Sequence, residues 1–254
     1  MIRDVLTGVI AANELITAFV FVGALVWLSY LISGRLTRGR VHGSAIAITL
    51  GLVVAWYGGV ATGGSRGAAD FPLLAGVGLM GGAMFRDFAI VATAFGADLQ
   101  ALKNAGLVGA LSIVIGVVLS FVVGAVVAVL FGYSDPVAIT TIGAGAATYI
   151  VGPVTGTALG AGSDVVALSV AAGLTKSVMV MVGTPLVASS IGLNSPHAAL
   201  IYGGLMGTTS GVAGGLAATD PKLVPYGAMT ATFYTGVGCL LAPSVLFLGV
   251  RMLF

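Results

Sequence analysis

The sequence predicts an all-α polytopic integral membrane protein. It is expected to hold six to eight transmembrane segments, two of its glycine-rich elements discontinuous or re-entrant, with an inverted repeat in the C-terminal half. Three observations carry this. Of 254 residues, 58% are hydrophobic and 7% charged, and the mean hydropathy is +1.14. At that balance nearly every residue must lie in a span or a short turn. Apolar runs long enough to cross a bilayer recur from Leu15 onward. Finally, among the 40 glycines, Gly152, Gly156 and Gly160, and again Gly207, Gly211 and Gly215, interrupt apolar runs of the second half, and each glycine costs a helix roughly 1 kcal/mol relative to alanine. Such clusters at membrane depth point to unwound backbone lining a cavity.

Composition also excludes. A net charge of +2 is too small to argue for nucleic acid. The single cysteine, Cys239, rules out an intrachain disulfide and most cysteine metal sites, and reads as a small packing residue. No cleaved leader is expected: Asp4 and Glu14, with Arg3 the one base, precede the first apolar run, residues 15–32. Arg35, Arg38 and Arg40 follow it, which makes that loop cytoplasmic and puts the N-terminus outside.

Residues 15–32 form the first span and residues 44–62 the second, with the interface aromatics Trp56 and Tyr57 near its outer end. Residues 63–70 have the composition of an external turn. The next run, 71–97, is long enough to cross but carries Arg86-Asp87 near its middle. Either the helix breaks or surfaces there and the pair is interfacial, or a buried pair faces the protein interior, where an intramembrane charge marks function. Residues 98–103 read as a short amphipathic cytoplasmic turn. The uncharged run 106–131 reads as a lipid-facing scaffold span, ended outside by residues 132–136.

The second half echoes itself. Residues 142–158 set beside 201–217, a step of 59, align Gly145 with Gly204, Gly152 with Gly211 and Gly156 with Gly215. Small residues recur every fourth position at Gly152, Gly156 and Gly160, and again at Gly207, Gly211 and Gly215. Each copy then reaches an acid, Asp164 or Asp220, and a helix with a late proline, Pro185 or Pro243. Glycine at that spacing serves close helix packing. Packing does not call for the hydroxyls alongside: Thr148, Thr155, Thr157 and Ser163 in one copy, Thr208, Thr209, Ser210 and Thr219 in the other. Paired interrupted apolar segments are the mark of a transporter site built from broken helices, and that reading outweighs packing alone. The chain is therefore divided into N-terminal spans, 1–135, as a scaffold or partner-facing part, and two repeat units, 136–193 and 196–254, that form the transport site.

The stretches RDFAIVATAFGAD (86–98), TYIVGPVTG (148–156) and GGLMGTTSGVAGGLAATDPKLVPYG (203–227) resemble the MadM subunit family of the bacterial malonate:sodium symporter. The resemblance covers the whole chain. It implies a two-component secondary carrier of the bacterial cytoplasmic (inner) membrane, working with a smaller MadL-type membrane subunit to import malonate with Na+. No organic cofactor is implied.

Malonate is a short dianion, so its site needs hydrogen-bond donors and a cation in low dielectric. Backbone N–H groups and hydroxyls at Thr155, Gly156, Thr157, Thr208, Thr209, Ser210 and Gly211 are the candidate donors. Arg86 is the candidate cation if buried, and Lys176 the next; the alternative for Lys176 is a helix starting near Ser177 with the lysine snorkelling to the interface. Lys222 belongs to a turn. Asp164 and Asp220 are candidates for the Na+ site, among freed carbonyls and hydroxyls. The same acids also suit helix N-caps, Asp220-Pro221 strongly so. His42 and His197 read as loop residues. No nucleophile–base set, phosphate-cradling loop or cofactor motif is present, so the chain is expected to be neither an enzyme nor an ATP-driven pump. Other readings are a non-transporting scaffold subunit, a proton-coupled carrier of another small dicarboxylate, and a channel.

Overall fold

The computed structural model describes residues 8–9, 12–39, 41–64, 66–81, 88 and 99–254. Among them all regular structure is helical. Among the described residues, five helices are long and apolar enough to cross a membrane: Glu14–Leu36, Gly43–Thr62, Gly106–Leu130, Ser163–Val187 and Pro221–Leu253. Bulky apolar side chains such as Trp27, Trp56, Leu119, Leu240 and Met252 point outward, while thirteen serines and threonines are buried. Lipid rather than water is the solvent that tolerates this arrangement, with small and hydroxyl residues between helices and large apolar ones outside. The chain is a polytopic helical membrane protein.

The described residues fall into two compact units, one within 1–92 and one within 93–254. In the first, helices α1 (Glu14–Leu36) and α2 (Gly43–Thr62) form an antiparallel pair. Gly43 is required where the Tyr30 ring lies across it, since a Cβ there would collide with the ring. Ser33 donates to the Val41 carbonyl (2.6 Å) and Tyr30 shares a hydrogen bond with Ser44 (3.1 Å), which closes the basic turn. His42 caps α2 by accepting the Ser44 amide (3.4 Å), and partial burial holds its imidazole below the usual histidine range. After α2, two short 3-10 turns (Gly67–Asp70 and Pro72–Leu74) lead into α3 (Ala75–Gly81). Asp70 braces this turn, accepting the Arg66 amide (2.8 Å) and meeting its guanidinium (3.4 Å). The pair Arg86-Asp87, read as either interfacial or buried, lies outside the described residues.

The second unit begins with α4 (Leu99–Leu130), interrupted at Gly106, where φ is 65°. Its one side is exposed, but Ile113, Val117 and Phe121 are core residues, so the span is lipid-facing on one face only. Then come α5 (Pro136–Ala147), α6 (Val151–Leu159) and α7 (Ser163–Val187), followed by α8 (Pro196–Met206), α9 (Thr209–Ala217) and α10 (Val224–Leu241). A π-turn at Ala242–Leu246 carries α10 into α11 (Phe247–Leu253). Pro243 accounts for it, because its ring nitrogen cannot donate to the helix ladder.

The order is thus two half-helices and a long helix, twice. The punctuation matches: α5 and α8 both open on proline, with Asp135 accepting the Ala138 amide (2.8 Å) and Ser195 accepting the Ala198 amide (3.2 Å). Contact density divides the chain near 92, whereas the sequence reading divides it at 135; α4, which packs on α5, α8 and α10, is what lies between.

Candidate functional site

Each pair of half-helices is broken at a threonine. At the first break α5 stops at Ala147, Thr148 is extended (φ −152°, ψ 156°), and its Oγ1 accepts the amides of Ile150 and Val151, both at 3.1 Å. At the second, Gly207 takes the left-handed conformation (φ 70°) that ends α8, and extended Thr208 accepts the Gly211 amide at 3.4 Å. Both threonines are buried. Every break therefore presents the carbonyl end of one half-helix and the amide end of the next.

Helix α7 touches both breaks with two successive residues. Lys176 Nζ donates to the Ala147 carbonyl at the first break (2.9 Å), to Ser120 Oγ of α4 (2.8 Å) and to Tyr234 OH of α10 (3.2 Å). Ser177 Oγ lies 2.5 Å from Thr208 Oγ1 at the second. The breaks are held closely. A Cβ at Gly173 would collide with the Tyr149 amide, and one at Gly207 with the Tyr234 ring. Tyr234, fully buried, donates in turn to the Gly116 carbonyl (3.1 Å), and Lys176 Nζ sits 5.0 Å from its ring centroid.

The electrostatics are unusual. Among the described residues the one ion pair is Arg66–Asp70, so the Lys176 ammonium is met by neutral oxygens and an aromatic ring alone. A charge at membrane depth is costly and marks function. One compensation is the negative end of α5, whose last carbonyl it holds. Lys176 is in the middle of α7, not at a helix start beside Ser177, so the snorkelling alternative does not apply.

The other expected site residues divide. Thr155 is fully buried on α6, and its Oγ1 has no hydrogen-bond partner; neither has the buried Oγ of Ser210 on α9. Most helix hydroxyls here bond back to the preceding turn, as Thr141, Thr175 and Thr184 do, so these two stand apart, together with Thr140 Oγ1 of α5, which is likewise buried without a partner. Thr209 opens α9, half-buried, and Thr157 is exposed. Gly156 packs on Val166 and Thr141, and Gly211 on Thr208 and Ser177, while Gly215 packs on Thr184. The glycine stripe is thus a packing seam, and the hydroxyls lie beside it.

Asp164 is exposed in the first turn of α7, about 18 Å along the helix from Lys176 at 1.5 Å per residue. Asp220 lies beyond the far end of α9 and accepts the Lys222 amide (3.0 Å), acting as the cap. Neither acid reaches the breaks. They are also not equivalent, since Asp220 precedes its helix and Asp164 lies within one. Arg86 falls outside the described residues.

Ser120, Ser177 and Tyr234 were not singled out from the sequence. A signal existed: Lys176 and Tyr234 stand one step of 58 apart, as do Pro185 and Pro243. Among the described residues no three His, Cys, Asp or Glu side chains gather, so a cation at the breaks would be held by carbonyl and hydroxyl oxygens.

A family model described as malonate/sodium symporter MadM subunit matches residues 6–254. No curated protein and no solved structure matches the chain.

Proposed function

We propose, for a chain that belongs to the MadM family of malonate/sodium symporter subunits, that the two breaks of its second unit form the site at which malonate and Na+ are carried. The observation that carries this is the meeting of both breaks on Lys176 and Ser177 of α7. A dianion needs positive charge and donors in a dry setting. The amide ends of α6 and α9, the ammonium of Lys176, and the partnerless hydroxyls of Thr155 and Ser210 are a set of that kind. The carbonyl ends of α5 and α8 are the oxygen-rich counterpart for a hard cation. On this reading the ion's ligands are sought at the breaks rather than at Asp164 and Asp220, the exposed Thr157 is not needed for the substrate, and Arg86 stays a candidate second cation.

Units 136–193 and 196–254 act as inverted repeats, with 1–135 as the scaffold that meets a smaller MadL-type subunit in the bacterial inner membrane. The N-terminus is read as outside from Arg35 and Arg38 after the first span. The test is uptake by proteoliposomes holding this chain and its partner. Malonate accumulation is expected to collapse when choline replaces Na+ at constant pH. Unchanged accumulation overturns sodium coupling and favours a proton-coupled dicarboxylate carrier.

A further inference from the structure

Lys176 occupies a place that a metal cation would suit. Its ammonium is surrounded by a main-chain carbonyl and two hydroxyls, with no carboxylate among the described partners. This is the donor set of a hard monovalent ion. The carbonyl is the last of α5, where a helix end favours positive charge. One cation satisfies that place; a second beside it, in this half-buried setting, is repelled.

Building on the symport reading above, we infer that Lys176 is a tethered stand-in for the co-transported ion, competing with Na+ for the Ala147 carbonyl. A substrate carboxylate draws the ammonium off that oxygen, and Na+ takes the vacated contact. The four-carbon stem lets Nζ swing several bonds' reach without moving α7, and Gly173 keeps the helix fixed against Tyr149 while it does so. Two facts support a mobile ammonium over a fixed brace. Of its remaining partners, Tyr234 does not depend on it alone, because it keeps its bond to Gly116. The partnerless hydroxyls of Thr155 and Ser210 offer further contacts for the substrate that draws it. Coupling then follows without an acidic ion site. Substrate and ion bind together because one lysine blocks the ion until the substrate engages it, and linkage makes the effect reciprocal.

The experiment measures binding of radioactive sodium to the purified complex, by scintillation proximity at fixed pH, with and without malonate. In the unaltered protein malonate is expected to raise Na+ affinity by about tenfold or more, within the usual range of such couplings. In Lys176→Gln, whose shorter neutral side chain brings no charge to the carbonyl, Na+ is expected to bind without malonate, with the ratio falling below about twofold. Lys176→Arg keeps the charge and is expected to keep the dependence. Equal malonate dependence in Lys176→Gln overturns the inference, as does malonate-independent Na+ binding by the unaltered complex. Should Lys176→Gln fail to assemble, the unaltered protein and Lys176→Arg still decide it, because an absent malonate effect in both overturns it. Uptake by the unaltered complex that ignores Na+ overturns the symport reading itself, and is distinguished from failure of the lysine's role alone by that one measurement.

Discussion

Ser177 Oγ and Thr208 Oγ1 lie 2.5 Å apart, buried, and join the long helix of the first repeat unit to the break of the second. Thr208 also caps α9 through the Gly211 amide, while Ser177 keeps a second bond to the Gly173 carbonyl (3.0 Å). Thr208→Val thus removes a cap and an interhelical bond together, and leaves Ser177 satisfied. A loss of about 2 kcal/mol in stability is expected, with uptake falling in parallel. Thr208→Ser is expected to restore both; thermal unfolding in detergent and uptake by proteoliposomes check it.

Gly173 shows how little room the first break has. A Cβ there would meet the backbone nitrogen of Tyr149, which no rotamer change relieves. Gly173→Ala should reach or pass the upper end of the about 1–3 kcal/mol that overpacking costs, and yield little assembled protein by size-exclusion chromatography. Gly183, on the same helix, faces open space, with nothing within 4 Å of where a Cβ would stand, so Gly183→Ala should assemble normally.

These contrasts explain what the sequence could and could not reveal. Long apolar runs translate directly into spans, because span length is set by bilayer thickness: residues 15–32 and 44–62 became Glu14–Leu36 and Gly43–Thr62. Both breaks were legible, since glycine and hydroxyl clusters are poor continuous helix. Which glycines pack and which unwind was not legible, as the same missing side chain serves both ends. Gly207 unwinds the chain, whereas Gly211 and Gly215 four and eight residues on lie in a helix against α7. The setting of Lys176 was hidden for another reason: its partners Ala147, Ser120 and Tyr234 are 29, 56 and 58 residues away. No local periodicity reports contacts at that separation.

His42 gives the first unit a pH dependence. Its ring nitrogen accepts the Ser44 amide as the cap of α2, which needs the neutral imidazole. Partial burial lowers its pKa in the folded chain, so the unfolded chain takes up the proton first as pH falls. The cap's contribution is full above the ordinary histidine value of about 6.5 and declines as pH drops below it. Unfolding midpoints measured at pH 7.5 and 5.5 should separate more for the unaltered protein than for His42→Asn, whose amide caps at either pH.

Tyr234 is expected to matter through its oxygen as well as its ring. Tyr234→Phe leaves the ring against Gly207 and removes the acceptor of Lys176 and the donor to Gly116. A hydrogen bond to a charged group is worth about 1.5–3 kcal/mol, and about 1.4 kcal/mol corresponds to tenfold in affinity. Na+ or malonate affinity should therefore change by about tenfold while the complex still assembles. Unaltered binding isotherms for both would leave the tyrosine with packing alone.

Thr155 separates a ligand role from a structural one by sign. Its hydroxyl is fully buried and partnerless, so in the ligand-free protein it carries a desolvation cost of about 1–3 kcal/mol. Thr155→Val keeps the shape and removes that cost, and the ligand-free complex should unfold at a higher temperature. If the oxygen is kept for a substrate carboxylate, the same change should raise the KM for malonate by about tenfold or more. A leftover of packing gives the first effect without the second. Ser210→Ala, the matching change on α9, should act in the same two directions, because its oxygen is likewise buried without a partner, two residues beyond Thr208.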